Sequence, residues 1–145
     1  MNLFKILEFI MIGILASSPV FAEDESYVCV AESAVGFDYN NTSSQWESKD
    51  FKTDSKYVVS KSSDVSKGWE VKKVGQSEGT SCGSGFDENG FIRCSGILDF
   101  LMNNKSLRYI VAHIYGYVIK DYPKGGPLEE GSLTPYLEIG KCSPL

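Results

Sequence analysis

Residues 91–114 read FIRCSGILDFLMNNKSLRYIVAHI, and the alternation in this stretch decides the fold class. Ile92, Cys94, Gly96, Leu98, Phe100 and Met102 alternate with Arg93, Ser95 and Asp99, the period of two that a β-strand with one apolar face requires. Asn103-Asn104-Lys105-Ser106 interrupts the pattern with turn residues, and Leu107–Ile119 resumes it. A hairpin closed over that turn pairs Met102 with Leu107 and sets Tyr109, Val111 and His113 on the inner face. The same register puts Arg108 outside, diagonal to Asp99, where the two charges attract. It also sends Ile110, Ala112 and Ile114 outward, an apolar surface that a bulge, a covering segment or a partner would explain.

The neighbouring segments read the same way. Ser26–Ala31, Gly36–Tyr39, Gln45–Glu47, Lys56–Ser60, Trp69–Val74 and Pro135–Ile139 are rich in β-branched and aromatic residues and are separated by Ser, Asn, Asp, Gly and Pro. No amphipathic helix follows the first residues. The expectation is an all-β domain of about eight strands, a single antiparallel sandwich or a small up-and-down, lipocalin-like barrel. Gly68-Trp69 lacks the residue that separates Gly from Trp near the start of lipocalins, so that likeness is one of architecture only.

Residues 1–22, MNLFKILEFIMIGILASSPVFA, predict a secretory signal peptide. Lys5 precedes an apolar run at Phe9–Leu15, Pro19 breaks it, and Val20 and Ala22 suit the −3 and −1 positions of a cleavage site. The run is too short to span a bilayer, which needs about 20 residues, and no stable membrane insertion is expected. Cleavage leaves residues 23–145 as a single all-β domain. It removes one lysine and one glutamate, so the net charge stays at −5. An acidic chain without a basic cluster excludes nucleic acid as a partner and suits a basic protein instead.

All four cysteines, Cys29, Cys82, Cys94 and Cys142, lie in the exported part, and an oxidising compartment joins them as two disulfides. Their spacing suits neither a zinc site nor a C-x-x-C redox pair, and no cofactor is expected. Three pairings are possible. Asp87-Glu88-Asn89-Gly90 is a hairpin turn signal between Phe86 and Phe91, which brings Cys82 near Cys94 and leaves Cys29 to join Cys142 across the ends of the domain.

His113, the only histidine, is the one candidate general base. The competing reading is a satisfied histidine among aromatics, because no G-x-S-x-G or S-x-x-K nucleophile accompanies it. Asp87/Glu88 and Glu129/Glu130 sit in loops as solvated charge, and no catalytic residue is assigned. Tyr109, Tyr115, Tyr117, Tyr122, Tyr136, Trp46 and Trp69 either fill the core or line a binding surface. The Gly/Pro-rich loop Asp121–Gly131 is a natural place for contacts.

The segments Gly36-Phe-Asp-Tyr39, Lys56-Tyr-Val-Val-Ser60, Phe91-Ile-Arg-Cys94, Phe100-Leu-Met-Asn103 and Thr134–Ser143 resemble a group of small exported proteobacterial proteins of unknown function. The resemblance implies bacterial export to the periplasm or beyond, and no activity. The functional expectation is a binding module that holds or inhibits an envelope or foreign protein such as a lysozyme. The alternatives are a small hydrolase using His113 and a barrel that binds a small apolar ligand.

Overall fold

A computed structural model describes residues 25–96, 99–119, 121–122, 126–127 and 129–145. The expected signal peptide lies outside these residues. Eleven strands follow in chain order: β1 (Tyr27–Asn40), β2 (Gln45–Phe51), β3 (Lys56–Lys61), β4 (Trp69–Lys73), β5 (Thr80–Gly83), β6 (Phe91–Cys94), β7 (Asp99–Asn103), β8 (Arg108–His113), the short pair β9 (Asp121–Tyr122) and β10 (Gly126–Pro127), and β11 (Tyr136–Pro144). The main sheet runs β5-β4-β3-β1-β11-β8-β7-β6, with β2 also paired to β1 beyond β3. Traced from β1 through β3, β4 and β5, then β6, β7, β8 and β11, the strands come in chain order, and the first pairs with the last. This is an up-and-down antiparallel barrel, so of the two architectures expected from the sequence the barrel is the one formed.

The barrel is closed everywhere by backbone ladders except between β5 and β6, the two ends of the sheet. There the Cys82–Cys94 disulfide bridges the seam. Both bridges pair as the sequence suggests, but the expected Phe86/Phe91 hairpin is not laddered. Asp87 closes a tight turn instead: its amide donates to the Phe91 carbonyl, and its carboxylate accepts from the Asn89 and Phe91 amides. Phe86 turns away to pack on Tyr27 and Trp69. Cys29–Cys142 joins directly opposite positions on β1 and β11.

Four other expectations are corrected. Phe91–Met102 is a hairpin, β6 and β7, rather than one strand, with Ile92 opposite Met102 and Cys94 opposite Phe100. Ser95 and Gly96 leave the ladder there, being turn formers. Leu107–Ile119 shortens to β8, and a 3-10 turn at Tyr115–Tyr117 follows it. Met102 pairs with Tyr109 rather than Leu107, whose positive φ of 55° lies in the widened turn. That two-residue shift preserves which face each side chain takes. Tyr109, Val111 and His113 are therefore buried as expected. The diagonal Asp99/Arg108 pair is lost, because Asp99 now faces Ala112 and Arg108 faces Asn103.

The interior is filled by side chains. Ile92, Met102, Val59 and Val111 are fully buried. Truncating Ile92 or Met102 to Ala should cost about 2–5 kcal/mol. Tyr57, Phe100 and Tyr109 pack ring against ring, with Phe100 stacked on Tyr109 at 5.3 Å and Tyr57 5.7 Å from each. Gly140 makes room for this: a Cβ there would stand 2.5 Å from the Tyr109 ring and 2.2 Å from the Val30 carbonyl oxygen.

Candidate functional site

The unusual part of the molecule is its outside. On β1, Cys29 and Ala31 point inward, and strict alternation would carry Val35 and Phe37 inward too. A bulge between Ala31 and Ser33 inserts one residue, so that Ala34 is buried while Val35 and Phe37 face out. Two strands away, β8 sends Ile110 and Ala112 outward and Ile114, just past its end, is exposed too, as expected from the sequence. Between them β11 presents Leu137 and Ile139 outside and Glu138 inside. Three adjacent strands thus build one apolar wall, in which Val35 is 47%, Phe37 52%, Ile114 53%, Leu137 44% and Ile139 49% exposed. Folded monomers seldom leave so continuous an apolar surface in water.

Beside the last β1–β11 and β8–β11 pairs, Gly36/Tyr136 and His113/Tyr136, a groove of about 410 Å³ opens in the wall. Val35, Phe37, Ile114, Pro135 and Leu137 supply its apolar lining, and His113 and Ser48 its polar groups. A smaller cleft beside it adds Trp46 and Tyr117. The two rings meet edge to face at 5.6 Å, and the Trp46 indole donates to the Glu130 carboxylate at 2.8 Å. Glu130 is therefore tied to the β1–β2 hairpin, where the sequence suggests free solvated charge.

His113 is buried, and its Nδ1 lies 2.8 Å from the Thr134 carbonyl oxygen. A carbonyl only accepts, so Nδ1 carries the proton. No carboxylate is among the residues lining the groove, and no hydrogen bond joins His113 to Ser48. The ring packs against Tyr136, with centroids 5.8 Å apart.

The row along the middle of the wall has a charge pattern of its own. Asp99 faces Ala112, Ala112 faces Leu137, Leu137 faces Val35, and Val35 faces Asp50 on β2. An apolar strip three strands wide is bracketed by two carboxylates. Neither aspartate has an ion-pair or hydrogen-bond partner among the described residues.

Sequence reasoning missed one cluster inside the barrel. Glu138 is buried and accepts a hydrogen bond from the Tyr109 hydroxyl at 3.0 Å. Burial, reinforced by the Glu138 charge, pushes the Tyr57, Tyr109 and Tyr136 hydroxyls above their ordinary range. The Tyr57 hydroxyl faces Ser55 and Glu138 but is buried without a well-formed hydrogen bond to either. The clue in the sequence was Glu138 between Leu137 and Ile139, where hydropathy points the wrong way. The loop Asp121–Gly131 lies partly outside the described residues. Among those residues no group of His, Cys, Asp and Glu could hold a metal ion, and no helix is long and apolar enough to cross a membrane.

Fold and site together define a disulfide-closed antiparallel barrel with an apolar outer wall. Comparison with protein-family models, with curated proteins and with solved structures found no match.

Proposed function

We propose that this chain is an exported binding module of the bacterial periplasm or cell exterior that holds another protein, and that holding the target inhibits it. The observation that carries the reading is the apolar wall of β8, β11 and β1 with its groove. Burying an exposed leucine or isoleucine removes it from water at about 25 cal/mol per Å² of apolar area, which is the ordinary driving force of association. The groove suits one apolar anchor side chain of a partner, the arrangement that concentrates binding energy at protein interfaces. The two disulfides suit an oxidising compartment. The chain's charge of −5 suits a basic target, and a lysozyme is the kind of target that small size, export and acidity together suggest.

The alternatives find less support. A hydrolase needs an activated nucleophile, and no carboxylate lines the groove beside His113 and no hydrogen bond joins His113 to Ser48. A ligand-binding barrel needs internal space, and Tyr57, Phe100 and Tyr109 occupy the interior. The test compares the mature protein with its Leu137→Asp variant on immobilised basic lysozyme at two ionic strengths. Wild-type binding that weakens with salt and vanishes in the variant supports the reading. Equal binding by both proteins removes the wall from it, and no binding by either removes lysozyme as the target.

A further inference from the structure

The row Asp99–Ala112–Leu137–Val35–Asp50 says more about the partner than overall acidity does. We infer that the wall recognises a protein segment with an apolar centre and a cationic side chain on each flank, one meeting Asp50 and the other Asp99. This rests on the wall being the binding face.

Both aspartates project from the outer face, in register with exposed apolar residues, and neither is neutralised within the described residues. Arg93, opposite Leu101 on β6, makes no ion pair with Asp99. Lys49 is committed to Asp38 and lies over the Phe51 ring. An acid left unpaired at the rim of an apolar patch costs little in water, and it steers an opposite charge on approach.

The bracket also selects among occupants. A second copy of this chain docked with its row in line with this one would set aspartate against aspartate: about a two-fold axis along the strands Asp99 would meet Asp50, and about one across them each would meet itself. An anionic lipid surface would meet the same two charges with repulsion. A basic partner alone turns both aspartates to advantage. Four inter-strand steps of about 4.8 Å separate Asp99 from Asp50 along the curve of the sheet, about 19 Å in all. An extended segment lying along the row spans that length in about six residues at about 3.3 Å each. Lysine or arginine about six positions apart, with leucine, isoleucine or an aromatic residue between them, is the expected pattern.

A randomised peptide library displayed on phage, panned on the mature protein, tests this while the natural partner is still unidentified. Clones are sorted by whether Leu137→Asp abolishes their binding, then measured on Asp50→Lys, Asp99→Lys and the milder Asp50→Asn and Asp99→Asn variants. Leu137-dependent clones with the basic–apolar–basic pattern, weakened about tenfold by either reversal and less by the amides, are the expected result. Leu137-dependent clones that lack paired basic residues, or that ignore both reversals, overturn the inference and leave the binding face standing. A library with no Leu137-dependent clone sinks the binding face and the inference together. Concentration-dependent dimerisation in sedimentation, or binding to phosphatidylglycerol vesicles, abolished by Leu137→Asp, would install one of the rejected occupants and overturn the inference as well.

Discussion

Cys82 on β5 and Cys94 on β6 are joined across the one place where the barrel has no backbone ladder. The bond therefore closes a wall, where a bridge between paired strands would only reinforce one. Cys29 and Cys142 sit opposite each other within an existing β1–β11 ladder, so their bond constrains the chain ends instead. The two disulfides should fail differently.

Replacing Cys82 and Cys94 by Ser should cost about 3 kcal/mol, the loop-closure value for a short loop. Amide exchange should accelerate in β5 and β6 while β1 and β11 stay protected. Replacing Cys29 and Cys142, 113 residues apart, should cost up to about 5 kcal/mol and speed exchange throughout. Uniform exchange after loss of Cys82–Cys94 would show that the seam is held by something else.

Alkaline pH should unfold the barrel. Tyr57, Tyr109 and Tyr136 have their hydroxyl pKa values raised above 10.0 by burial and by Glu138, so the fold favours their neutral form. Their contribution is complete below about pH 10 and is lost as pH rises from there toward the folded-state values. Urea midpoints measured from pH 8 upward should be level at first and then fall. Tyr109→Phe should make the fall shallower.

Tyr57→Phe should be neutral or stabilising by about 1 kcal/mol, since it deletes a buried hydroxyl without a well-formed partner and keeps the ring. Tyr109→Phe should cost about 1–3 kcal/mol, because it leaves Glu138 without its donor. Chemical denaturation of the two variants, side by side, checks the contrast.

His113→Ala should lose about 1–2 kcal/mol of stability through the missing bond to Thr134 and the space left beside Tyr136. Binding to any partner found should change less than Leu137→Asp changes it. Turnover of peptidoglycan, ester or peptide substrates that disappears in the variant would falsify the binding-module reading.

Exported protein should begin at Glu23. Its intact mass, taken before and after reduction, reads both the cleavage and the absence of free thiols among the four cysteines.

By itself the sequence determined the all-β class and the inner face of β8, and it favoured one of three cysteine pairings that the structure then showed. These rest on local alternation, on turn residues and on nearness along the chain. Its parity survived even where its pairing was wrong: Ile92, Cys94, Phe100 and Met102 share the interior although Phe91–Met102 folds back on itself. Only the tertiary structure decided the rest. Whether a strand continues or turns at Ser95-Gly96 depends on which distant strand completes the ladder. The bulge at Ala31–Ser33 shows only in the pairing with β11, yet that one residue moves Val35 and Phe37 from core to surface. On β11 hydropathy would bury Leu137 and Ile139 and expose Glu138. The Cys29–Cys142 bond and the register set with β1 and β8 impose the opposite parity. The apolar wall is the result, because a strand held by covalent and hydrogen bonds on both sides cannot rotate to hide its own side chains.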